Sequence, residues 1–472
     1  MSADAAERPA GMAATHERSA QRMLHVCQLH GGLYTKLGQF VASMTHILPE
    51  QYTTVLAACQ DRANAVPFET ARGAIETELG KPLEKLFASF EPTPIAAASL
   101  AQVHRAVTHD GERVAVKVQY PALALQMGAD QRTLRALSWV VERAFPGCGY
   151  EWLLPEFEES MQQELDFTSE ATNATRATRL LAPLAGAVYV PRTLSELSSG
   201  RVLTMEFVEG VKLTDTEALA ARGLDRAELA TLLTSTFSLM IFGGGFVHCD
   251  PHSGNLLARP APDAADAALH GRGLWFGRRR RRPRVQLVVL DHGLYRELGE
   301  DFRLQYSTLW YSLLTRDHAR GRAAGEALGV APADYDHLSL LLTFRPSTSR
   351  TAIGTRLSPE ERASVRKRLG QLGVADVSTF LERLPRDMLF VMRTWAYIRS
   401  LNRALGGTTR ARLALQGEHA ACVVAAAARQ EPGAWWVAAL FDELRARYLV
   451  LKLRFYLRLF DAAFGLLWRV RG

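Results

Sequence analysis

Residues 246–257 read FVHCDPHSGNLL, and this run determines how the rest of the chain is interpreted. A second run of similar texture, VQLVVLDHGLY, occupies residues 285–295. Each run predicts a short buried strand with a polar end, because aliphatic and β-branched residues lead into carboxylate, amide and imidazole groups. Asp250 and Asn255 lie five residues apart in the first run, and Asp291 ends the apolar part of the second. These two strand ends are therefore the first candidates for a functional site.

A predicted hairpin upstream carries a lysine. The runs VHRAV (103–107) and RVAVKVQ (113–119) flank Asp110 and Gly111, and an Asp-Gly pair between alternating apolar runs is a strong hairpin signal. Lys117 lies at the inward-facing end of the second strand. A strand lysine alone is usually a solvated surface residue, so Lys117 indicates a functional site only in combination with other motif residues.

The lysine and the two strand ends together match the protein-kinase signatures VAIK, HRD-x-x-x-x-N and DFG, in that order and with the same offsets. Phosphoryl transfer needs a fixed cation on the nucleotide phosphates, oxygen ligands for Mg²⁺ and a carboxylate beside the attacking hydroxyl. Lys117 and Asp250 are accordingly predicted as catalytic residues. Asn255 and Asp291 are predicted as metal ligands, and the predicted cofactors are ATP and Mg²⁺.

The composition excludes several other classes of protein. The chain has 472 residues, of which 48% are hydrophobic and 22% charged, so it is neither disordered throughout nor collagen-like. Its 5 cysteines are scattered without a CxxC spacing, which argues against a disulfide scaffold and a structural zinc site. Of the net charge of +7, residues 259–284 contribute +6 (8 Arg against 2 Asp), so no nucleic-acid partner is expected.

The predicted elements succeed one another as helices, a small antiparallel sheet, helices, the two strand ends and then helices, which indicates an α+β protein with two lobes. The first twenty residues lack the apolar core of a targeting peptide. Long helices are predicted over 122–145 and 151–183. The predicted segments are a disordered amino terminus (1–20), a helical extension (21–86), a first lobe with inserted helices (87–210), a second lobe (211–430) interrupted by a disordered basic insertion (259–284), and carboxy-terminal amphipathic helices (431–472).

Beyond the kinase signatures, the chain resembles the ABC1/UbiB family of atypical kinases, also called aarF-domain-containing kinases. Residues 94–104 (PIAAASLAQVH) resemble the family's alanine-rich loop, which replaces a glycine-rich phosphate loop. Residues 36–39 match its KxGQ motif, residues 164–166 its ExD motif and residues 248–255 its HxDPHxGN catalytic loop. The resemblance covers about residues 21–330, and within the family the aarF-domain-containing kinase 5 subgroup looks most similar.

The resemblance implies a two-lobed, protein-kinase-like α+β fold with a family-specific helical extension before it and a helical region after it. It places the alanine loop and the interlobe hinge around ATP. It also implies a lid, formed by the KxGQ and ExD residues, over the site where a protein kinase admits its peptide. The implied nucleotide-site residues are Ala96, Ala97, Ala98 and Ser99 of the loop, Glu206 and Val208 of the hinge, Lys36, Gln39, Glu164 and Asp166 of the lid, and Lys117 with its ion-pair partner Glu170.

Helix geometry relates the expected partner of Lys117 to the ExD motif. Glu170 lies four residues after Asp166, so the two are expected to share one face of the predicted helix. Glu164 then has a different azimuth and points toward the KxGQ helix, where, by the family likeness, Lys36 meets it.

Two positions depart from the family pattern. Cys249 stands where the family often has Ser, Thr or Gly, and Ser253 where it usually has Pro. Cys249 is interpreted as a small buried residue, with a reactive thiol beside Asp250 as the alternative. No Ala-Pro-Glu follows Asp291, so no ordinary activation segment or peptide-docking platform is expected.

The predicted function is that of an enzyme of the ABC1/UbiB type. Its expected activity is phosphoryl transfer to a small or lipid-like acceptor, or ATP hydrolysis coupled to isoprenoid or quinone lipid metabolism, as the family's link to that metabolism implies. The alternative is a non-catalytic, nucleotide-gated scaffold. The intact set Lys117, Asp250, Asn255 and Asp291 favours the enzyme, because a degenerate kinase commonly lacks one of these. The resemblance implies a mitochondrial or plastid location.

Two stretches keep alternative interpretations. Residues 448–472 (YLVLKLRFYLRLFDAAFGLLWRVRG) form a predicted amphipathic helix that either lies on a membrane surface, making a lipid surface a partner, or covers the larger lobe. Residues 278–282 are five consecutive arginines. They are interpreted as a solvated loop, with a nuclear signal or an acid-binding patch as the alternatives.

Overall fold

The computed structural model describes most of the chain, and the statements below concern that part. The Pro146–Gly149 turn, residues 263–283 of the predicted insertion and almost all of 431–472 lie outside the described residues. The described residues are 4–43, 49–60, 65–144, 153–262, 284–343, 345–347 and 383–428, with the single positions 361, 363, 444, 448 and 451.

Helices occupy most of the region before the first strand. The first break between them falls at Gly31 and Gly32, whose φ angles of 66° and 43° are left-handed values that glycine adopts without steric cost. Helix α4 ends at Gly80, which takes the left-handed conformation common after a helix. The elements are α1 (Asp4–His30), α2 (Gly32–Ser43), α3 (Glu50–Leu56), a 3₁₀ turn (Ala57–Gln60), α4 (Phe68–Leu79) and α5 (Leu83–Leu86).

The first sheet is antiparallel and has the order β1-β3-β4-β6, with β2 paired to β3. Its centre is the predicted hairpin, whose turn residue Gly111 has a φ of 81° and donates its N–H to the Thr108 carbonyl at 3.0 Å. Val114, Val116 and Val118 of β4 are buried against α4, so the alternating Lys117 lies on the opposite face. The strands are β1 (Ser89–Phe90), β2 (Ala96–Ala97), β3 (Ala101–Val107), β4 (Arg113–Gln119) and β6 (Val202–Glu206).

Three helices separate β4 from the next strand: α6 (Pro121–Ala144), α7 (Leu153–Glu164) and α8 (Phe167–Leu180). The single helix predicted over 151–183 is wrong, because the chain breaks at Leu165 and Asp166. Asp166 is the N-cap of α8, and its carboxylate accepts the Thr168 N–H at 3.0 Å. Asp166 therefore caps the helix that carries Glu170 and is not a residue inside that helix as predicted.

The second lobe contains a sheet of order β5-β10-β9-β7 and a two-stranded ladder of β8 with β11. Each of the two predicted strand runs is in fact two short strands that flank a loop, and the polar residues lie in that loop. The strands are β5 (Val188–Tyr189), β7 (Val211–Lys212), β8 (Phe246–His248), β9 (Leu256–Pro260), β10 (Val285–Val289) and β11 (Tyr295–Glu297).

The predicted bounds of the basic insertion need correction. Arg259 and Pro260 belong to β9 and pair with Gln286 and Val285. The Arg259 Nε donates to the Gln286 Oε1 at 2.7 Å. The strand pairing therefore continues past the predicted start of the insertion at 259.

The core of the second lobe lies between its sheet and its helices. One helical stretch, Arg226–Gly244, is long and apolar enough to cross a membrane, but 72% of it is buried inside the molecule, as in a core helix. It comprises α10 and a π-helical turn at Leu239–Gly244. The helices are α9 (Thr216–Ala221), α10 (Arg226–Ser238), α11 (Glu300–Thr315), α12 (His318–Ala327), α13 (Tyr335–Thr343), α14 (Arg386–Ala404) and α15 (Thr409–Ala428), with 3₁₀ turns at Ala182–Leu184, Ser195–Leu197 and Pro332–Asp334.

Candidate functional site

An ion-pair network connects the two lobes. Lys117 of β4 donates from Nζ to both carboxylate oxygens of Glu170 on α8, at 3.0 and 2.8 Å. The same ammonium lies 3.2 Å from the Asp291 Oδ2, in the loop after β10. Glu170 is 2% exposed and Lys117 15%. The structure thus brings together three residues that the sequence placed in one site.

The electrostatic environment keeps Lys117 and Asp291 charged. Burial alone would raise the pKa of Asp291, but Lys117 and the N–H of Gly293, at 2.8 Å, hold it well below its usual range. Burial would lower the pKa of Lys117, but Asp291 and Glu170 raise it above the ordinary value. Burial raises the pKa of Glu170 to about 7 in spite of Lys117. Asp291 is therefore ionised at neutral pH.

The β9–β10 pairing places the two predicted metal ligands at one end of a hairpin. Leu256 pairs with Val289, and the Leu290 N–H donates to the Asn255 carbonyl at 2.9 Å. Asn255 precedes β9 and Asp291 follows β10, so both residues lie at this end. The Asn255 Nδ2 donates to the Asp250 carbonyl at 3.1 Å, which fixes the amide and ties it to the loop of Asp250.

The catalytic-loop cysteine is buried. Cys249 has no exposed surface, and its thiol contacts the Val247 carbonyl at 3.4 Å. Burial raises the pKa of Cys249 to about 12, so the thiol stays protonated at neutral pH. This geometry favours the interpretation of Cys249 as a small buried residue over that of a reactive thiol.

A second lysine–glutamate pair joins the KxGQ helix to the ExD motif. Lys36 of α2 forms an ion pair with Glu164 at the end of α7. Burial would lower the pKa of Lys36, but Glu164, Asp250 and Asp291 raise it. The Gln39 amide donates to the Cys59 carbonyl at 2.8 Å.

Asp166, the aspartate of the ExD motif, has a different role from Glu164. Both carboxylate oxygens of Asp166 accept hydrogen bonds within its own turn, from Thr168 and Ser169. Asp166 is thus the cap of α8, two residues beyond Glu164, the last residue of α7.

A cleft opens beside Asp250. Lys36, Gln39 and Glu164 line it from the side of α2 and α7. Arg393 of α14 also lines it, with its Nη2 3.6 Å from the Asp250 Oδ1. The sequence analysis missed Arg393, because it lies on a helix without a recognisable motif and far along the chain from Asp250.

The alanine loop is a tight turn between β2 and β3. Ala96 and Ala97 pair with Val103 and Gln102, and the Ala98 N–H donates to the Ala101 carbonyl at 2.8 Å. The turn between them contains Ser99, which is buried. Ala96 and Ala98 are exposed and Ala97 is half-buried, so these three alanines remain open to contact from outside the sheet.

The predicted hinge connects the two main sheets. Residues 206–210 run from the end of β6, in the first sheet, to β7, in the second. The Glu206 carboxylate accepts a hydrogen bond from the Tyr189 hydroxyl, and Val208 is buried. The Phe207 N–H donates to the Arg113 carbonyl at 3.0 Å, which ties the hinge to β4.

A buried aromatic stack supports the Asp291 loop, and the sequence analysis did not find it. The rings of His292 and Tyr295 are stacked with centroids 5.7 Å apart, and His248 stacks on Tyr295 at 5.2 Å. The ring nitrogens of His292 contact the Tyr295 hydroxyl at 2.9 Å and the Val289 carbonyl at 3.1 Å. Burial lowers the pKa of His292 to about 3, so the ring is neutral.

Sequence comparisons identify relatives over most of the chain. The family model described as the ABC1 atypical kinase-like domain matches residues 58–323. An ABC1 protein of Arabidopsis thaliana is 36% identical over 400 residues, covering 83% of this chain and 72% of the relative. The AarF domain-containing protein kinase 1 of Mus musculus is 37% identical over 393 residues, covering 83% and 71%. These relatives support the family and give no support to the kinase 5 subgroup.

A solved structure shares the fold. Rv3197 of Mycobacterium tuberculosis, in complex with erythromycin, aligns with a TM-score of 0.51 and 22% identity, over 85% of this chain and 95% of that one. Together with the two lobes and the order of the signature residues, this confirms the predicted α+β, kinase-like fold. The extent and identity of the matches establish that the chain belongs to the ABC1 (UbiB, aarF-domain-containing) family of atypical kinases.

Proposed function

We propose that the protein binds Mg²⁺–ATP between its lobes and uses it for phosphoryl transfer or ATP hydrolysis. The observation that carries the proposal is the Lys117–Glu170–Asp291 network, with Asn255 at the same end of the β9–β10 hairpin as Asp291. Lys117 holds the nucleotide phosphates, and Glu170 fixes the direction of its ammonium group. The exposed alanines of the β2–β3 turn cover the phosphates, and the backbone of Glu206 and Val208 holds the adenine.

Asn255 and Asp291 fit the requirements of a magnesium ion. Both offer hard oxygen atoms, and the Asn255 Nδ2 is already bound to the Asp250 carbonyl, which leaves its Oδ1 for a ligand role. When bound, Mg²⁺ neutralises the charge on the phosphate oxygens. The low pKa of Asp291 supplies the negative charge that the cation needs.

Asp250 is the group that receives the acceptor's proton. Burial would raise the pKa of Asp250, but His252, Arg393 and Lys36 lower it below the ordinary value. Asp250 is thus ionised at neutral pH and accepts a hydrogen bond from a hydroxyl placed in the cleft. An ionised carboxylate in this position orients the hydroxyl for attack.

The acceptor is proposed to be small or lipid-like. Lys36 and Glu164 close the side of the cleft at which a protein kinase admits a peptide, which limits the acceptor's size. The role in isoprenoid or quinone metabolism and the mitochondrial or plastid location are extensions of this proposal from the family. Contact of the carboxy-terminal stretch with a membrane surface extends it from the amphipathic sequence pattern of residues 448–472.

The test compares the wild type with Asp291→Asn. The wild type is expected to be stabilised against heat by Mg²⁺–ATP, and the variant to lose this stabilisation while it melts cooperatively without nucleotide, because an amide is a far poorer magnesium ligand. Equal stabilisation of both proteins contradicts the assignment.

Turnover separates the two candidate functions. Release of phosphate from Mg²⁺–ATP by the wild type, measured with and without lipid vesicles and abolished by Asp250→Asn, supports the enzyme. Nucleotide binding without turnover under either condition favours the nucleotide-gated scaffold.

A further inference from the structure

We propose that Cys27 and Cys59 form a dithiol site that a peroxide oxidises reversibly to a disulfide, and that this bond restrains the KxGQ helix α2. The helix carries Lys36 and Gln39, which line the cleft, so the bond connects the oxidation state of the two thiols to the candidate site. The proposal goes beyond the proposed function, because it concerns thiols and a helix and does not require nucleotide binding.

The two thiols meet although they come from different elements. Cys27 lies in α1, and Cys59 lies in the 3₁₀ turn after α3. A Cβ atom placed on Gly38 of α2 would lie 3.0 Å from the Cys27 Sγ and 2.7 Å from the Cys59 Sγ, so both sulfur atoms flank this glycine. The two thiols also form a hydrogen bond with each other. They therefore need only a small further approach to reach the roughly 2.05 Å of a disulfide.

The helix α2 rests on this cysteine pair through three contacts. The Thr35 hydroxyl donates to the Cys27 carbonyl at 3.1 Å. The Gln39 amide donates to the Cys59 carbonyl at 2.8 Å. Gly38 supplies the third contact, because the two sulfur atoms occupy the space that a side chain at this position would fill. The position of α2 therefore depends on the relative position of the two cysteines.

The two thiols differ in reactivity. The hydrogen bond with Cys27 lowers the pKa of Cys59, against the effect of burial. The same hydrogen bond, together with burial, raises the pKa of Cys27. Because the thiolate is the nucleophilic form of cysteine, Cys59 is the thiol that attacks the oxidant, and Cys27 is the thiol that completes the disulfide.

The oxidation takes place in two steps. The Cys59 thiolate attacks one oxygen of the peroxide, so that an S–O bond forms and the O–O bond breaks, and the departing oxygen takes up a proton from water. The Cys27 sulfur then attacks the resulting sulfenic acid, so that the S–S bond forms and the S–O bond breaks, and the hydroxide leaves with the Cys27 proton as water. The two sulfur atoms together lose two electrons, which the peroxide gains. A thiol reductant reverses the oxidation.

The cysteine pair lies near the surface of the amino-terminal helices. Cys27 is 5% exposed and Cys59 4%. The hydrophobic side chains packed around them are only partly buried, namely those of Met23, Leu24, Val41 and Tyr52. Cys249 differs, because it has no exposed surface and burial raises its pKa to about 12. Hydrogen peroxide, a molecule little larger than water, is therefore expected to oxidise the pair and to spare Cys249.

The first experiment treats the reduced full chain with hydrogen peroxide, blocks the remaining thiols with N-ethylmaleimide in denaturant and analyses the peptides by mass spectrometry. The wild type is expected to give a cross-link between the Cys27 and Cys59 peptides that dithiothreitol removes. This cross-link should form about tenfold faster than any other, because the two thiols are already in contact. Its absence, or its formation at the rate of the other cross-links, overturns the proposal.

Variants test the roles of the two thiols. Cys27→Ser keeps a hydrogen-bond donor beside Cys59 but cannot form the disulfide, so dimedone, which labels sulfenic acids, should label Cys59 in this variant and not in the wild type. Cys59→Ser should leave Cys27 unlabelled. The control is Cys422→Ser on α15, which should leave the rate of the Cys27–Cys59 cross-link unchanged. Equal labelling of Cys59 in Cys27→Ser and the wild type overturns the proposal.

Hydrogen exchange of the wild type tests the restraint on α2. The disulfide closes the segment 27–59, which contains all of α2, so it removes conformations in which this helix separates from α1. The amides of α2 should exchange about threefold more slowly in the oxidised than in the reduced chain. Those of α4, outside the closed segment, are the control and should keep their rates. Unchanged exchange in α2, or equal slowing in α4, overturns the proposal.

Discussion

Two buried lysine–glutamate pairs lie on the two sides of the site, and they differ in what surrounds them. In both pairs the lysine is 15% exposed. Glu170, the partner of Lys117, is 2% exposed, whereas Glu164, the partner of Lys36, is 14% exposed. Lys117 also contacts Asp291, in the second lobe, at 3.2 Å. The pair at Lys117 therefore joins the lobes, and the pair at Lys36 holds the amino-terminal helices against them.

The difference indicates which pair the chemistry depends on most. A buried charge that loses its partner costs several kilocalories per mole, because its desolvation is no longer compensated. Glu170 is the more buried carboxylate, so its loss should affect both folding and turnover. Lys36 and Glu164 border the cleft, so their loss should change turnover with a smaller effect on folding.

The largest effect is expected from Glu170→Gln. The change leaves Lys117 with Asp291 as its carboxylate partner and lets its ammonium move from the nucleotide phosphates. Unfolding free energy should fall by about 3 kcal/mol in denaturant titrations. Mg²⁺–ATP turnover should fall by roughly two orders of magnitude, since positioning supplies much of phosphoryl-transfer catalysis.

An exposed pair provides the control for this variant. Glu91 is 50% exposed and contacts Arg105 at 3.3 Å, so Glu91→Gln should change stability by less than about 1 kcal/mol. Similar losses of unfolding free energy in Glu170→Gln and Glu91→Gln would show that burial does not make the Lys117–Glu170 pair more important for stability than the exposed pair.

A smaller effect is expected from Lys36→Ala. Removal of this lysine opens the α2 side of the cleft and raises the pKa of Asp250, which Lys36 lowers. Turnover should change several-fold, while unfolding free energy falls by less than in Glu170→Gln, because the Glu164 left without its partner is 14% exposed and Glu170 2%. Lys85→Ala, an exposed lysine on α5, is the control. Unchanged turnover in Lys36→Ala would show that this lid residue does not influence the reaction.

Two residues of the ExD motif should respond differently to substitution. Asp166→Ala removes the N-cap of α8 and should cost about 1 kcal/mol of stability, with ATP affinity nearly unchanged. Glu164→Gln should alter turnover instead, because Glu164 lines the cleft. Melting curves and nucleotide titrations of both variants test whether Asp166 affects stability and Glu164 affects the reaction. A change of ATP affinity in Asp166→Ala at constant melting temperature would contradict this assignment.

The smallest effect is expected from Ala97→Gly. Glycine restores backbone freedom in β2 next to the turn, so ATP affinity should change several-fold, about 1 kcal/mol, toward tighter binding and more self-phosphorylation. Calorimetric titration with Mg²⁺–ATP measures the affinity, and a melt without nucleotide measures the cost of the glycine itself. An affinity equal to that of the wild type would indicate that the loop does not contact the phosphates.

The sequence was most informative where local signals and motifs coincide. The Asp110-Gly111 hairpin is present, and Lys117 contacts Glu170, its predicted partner. Lys117 also contacts Asp291, which was predicted only as a metal ligand. The Lys36–Glu164 contact, which the family likeness implied, is also present. The hairpin depends on a local sequence signal, whereas the Lys36–Glu164 contact was carried over from the family on matching motifs, so neither required knowledge of the packing.

The remaining features depend on local detail or on distant packing. The helix break at Asp166 had a signal, since an aspartate followed by Thr168 and Ser169 favours a cap, but the helical spacing of apolar residues on both sides concealed it. Arg393 and the His292–Tyr295 stack had no comparable signal. Their importance comes from what the tertiary structure places beside Asp250 and Asp291.

The far end of the β9–β10 hairpin is a place at which extra chain can be inserted without contact with the candidate site. Asn255 and Asp291 stand at one end of it, whereas Pro260 and Val285 stand at the other. Five residues of strand span about 17 Å, so the strand ends at Pro260 and Val285 lie well away from the proposed metal ligands. A fluorescent protein or an affinity tag inserted between Ala261 and Arg284 could therefore report on the protein in cells with the proposed site left as it is.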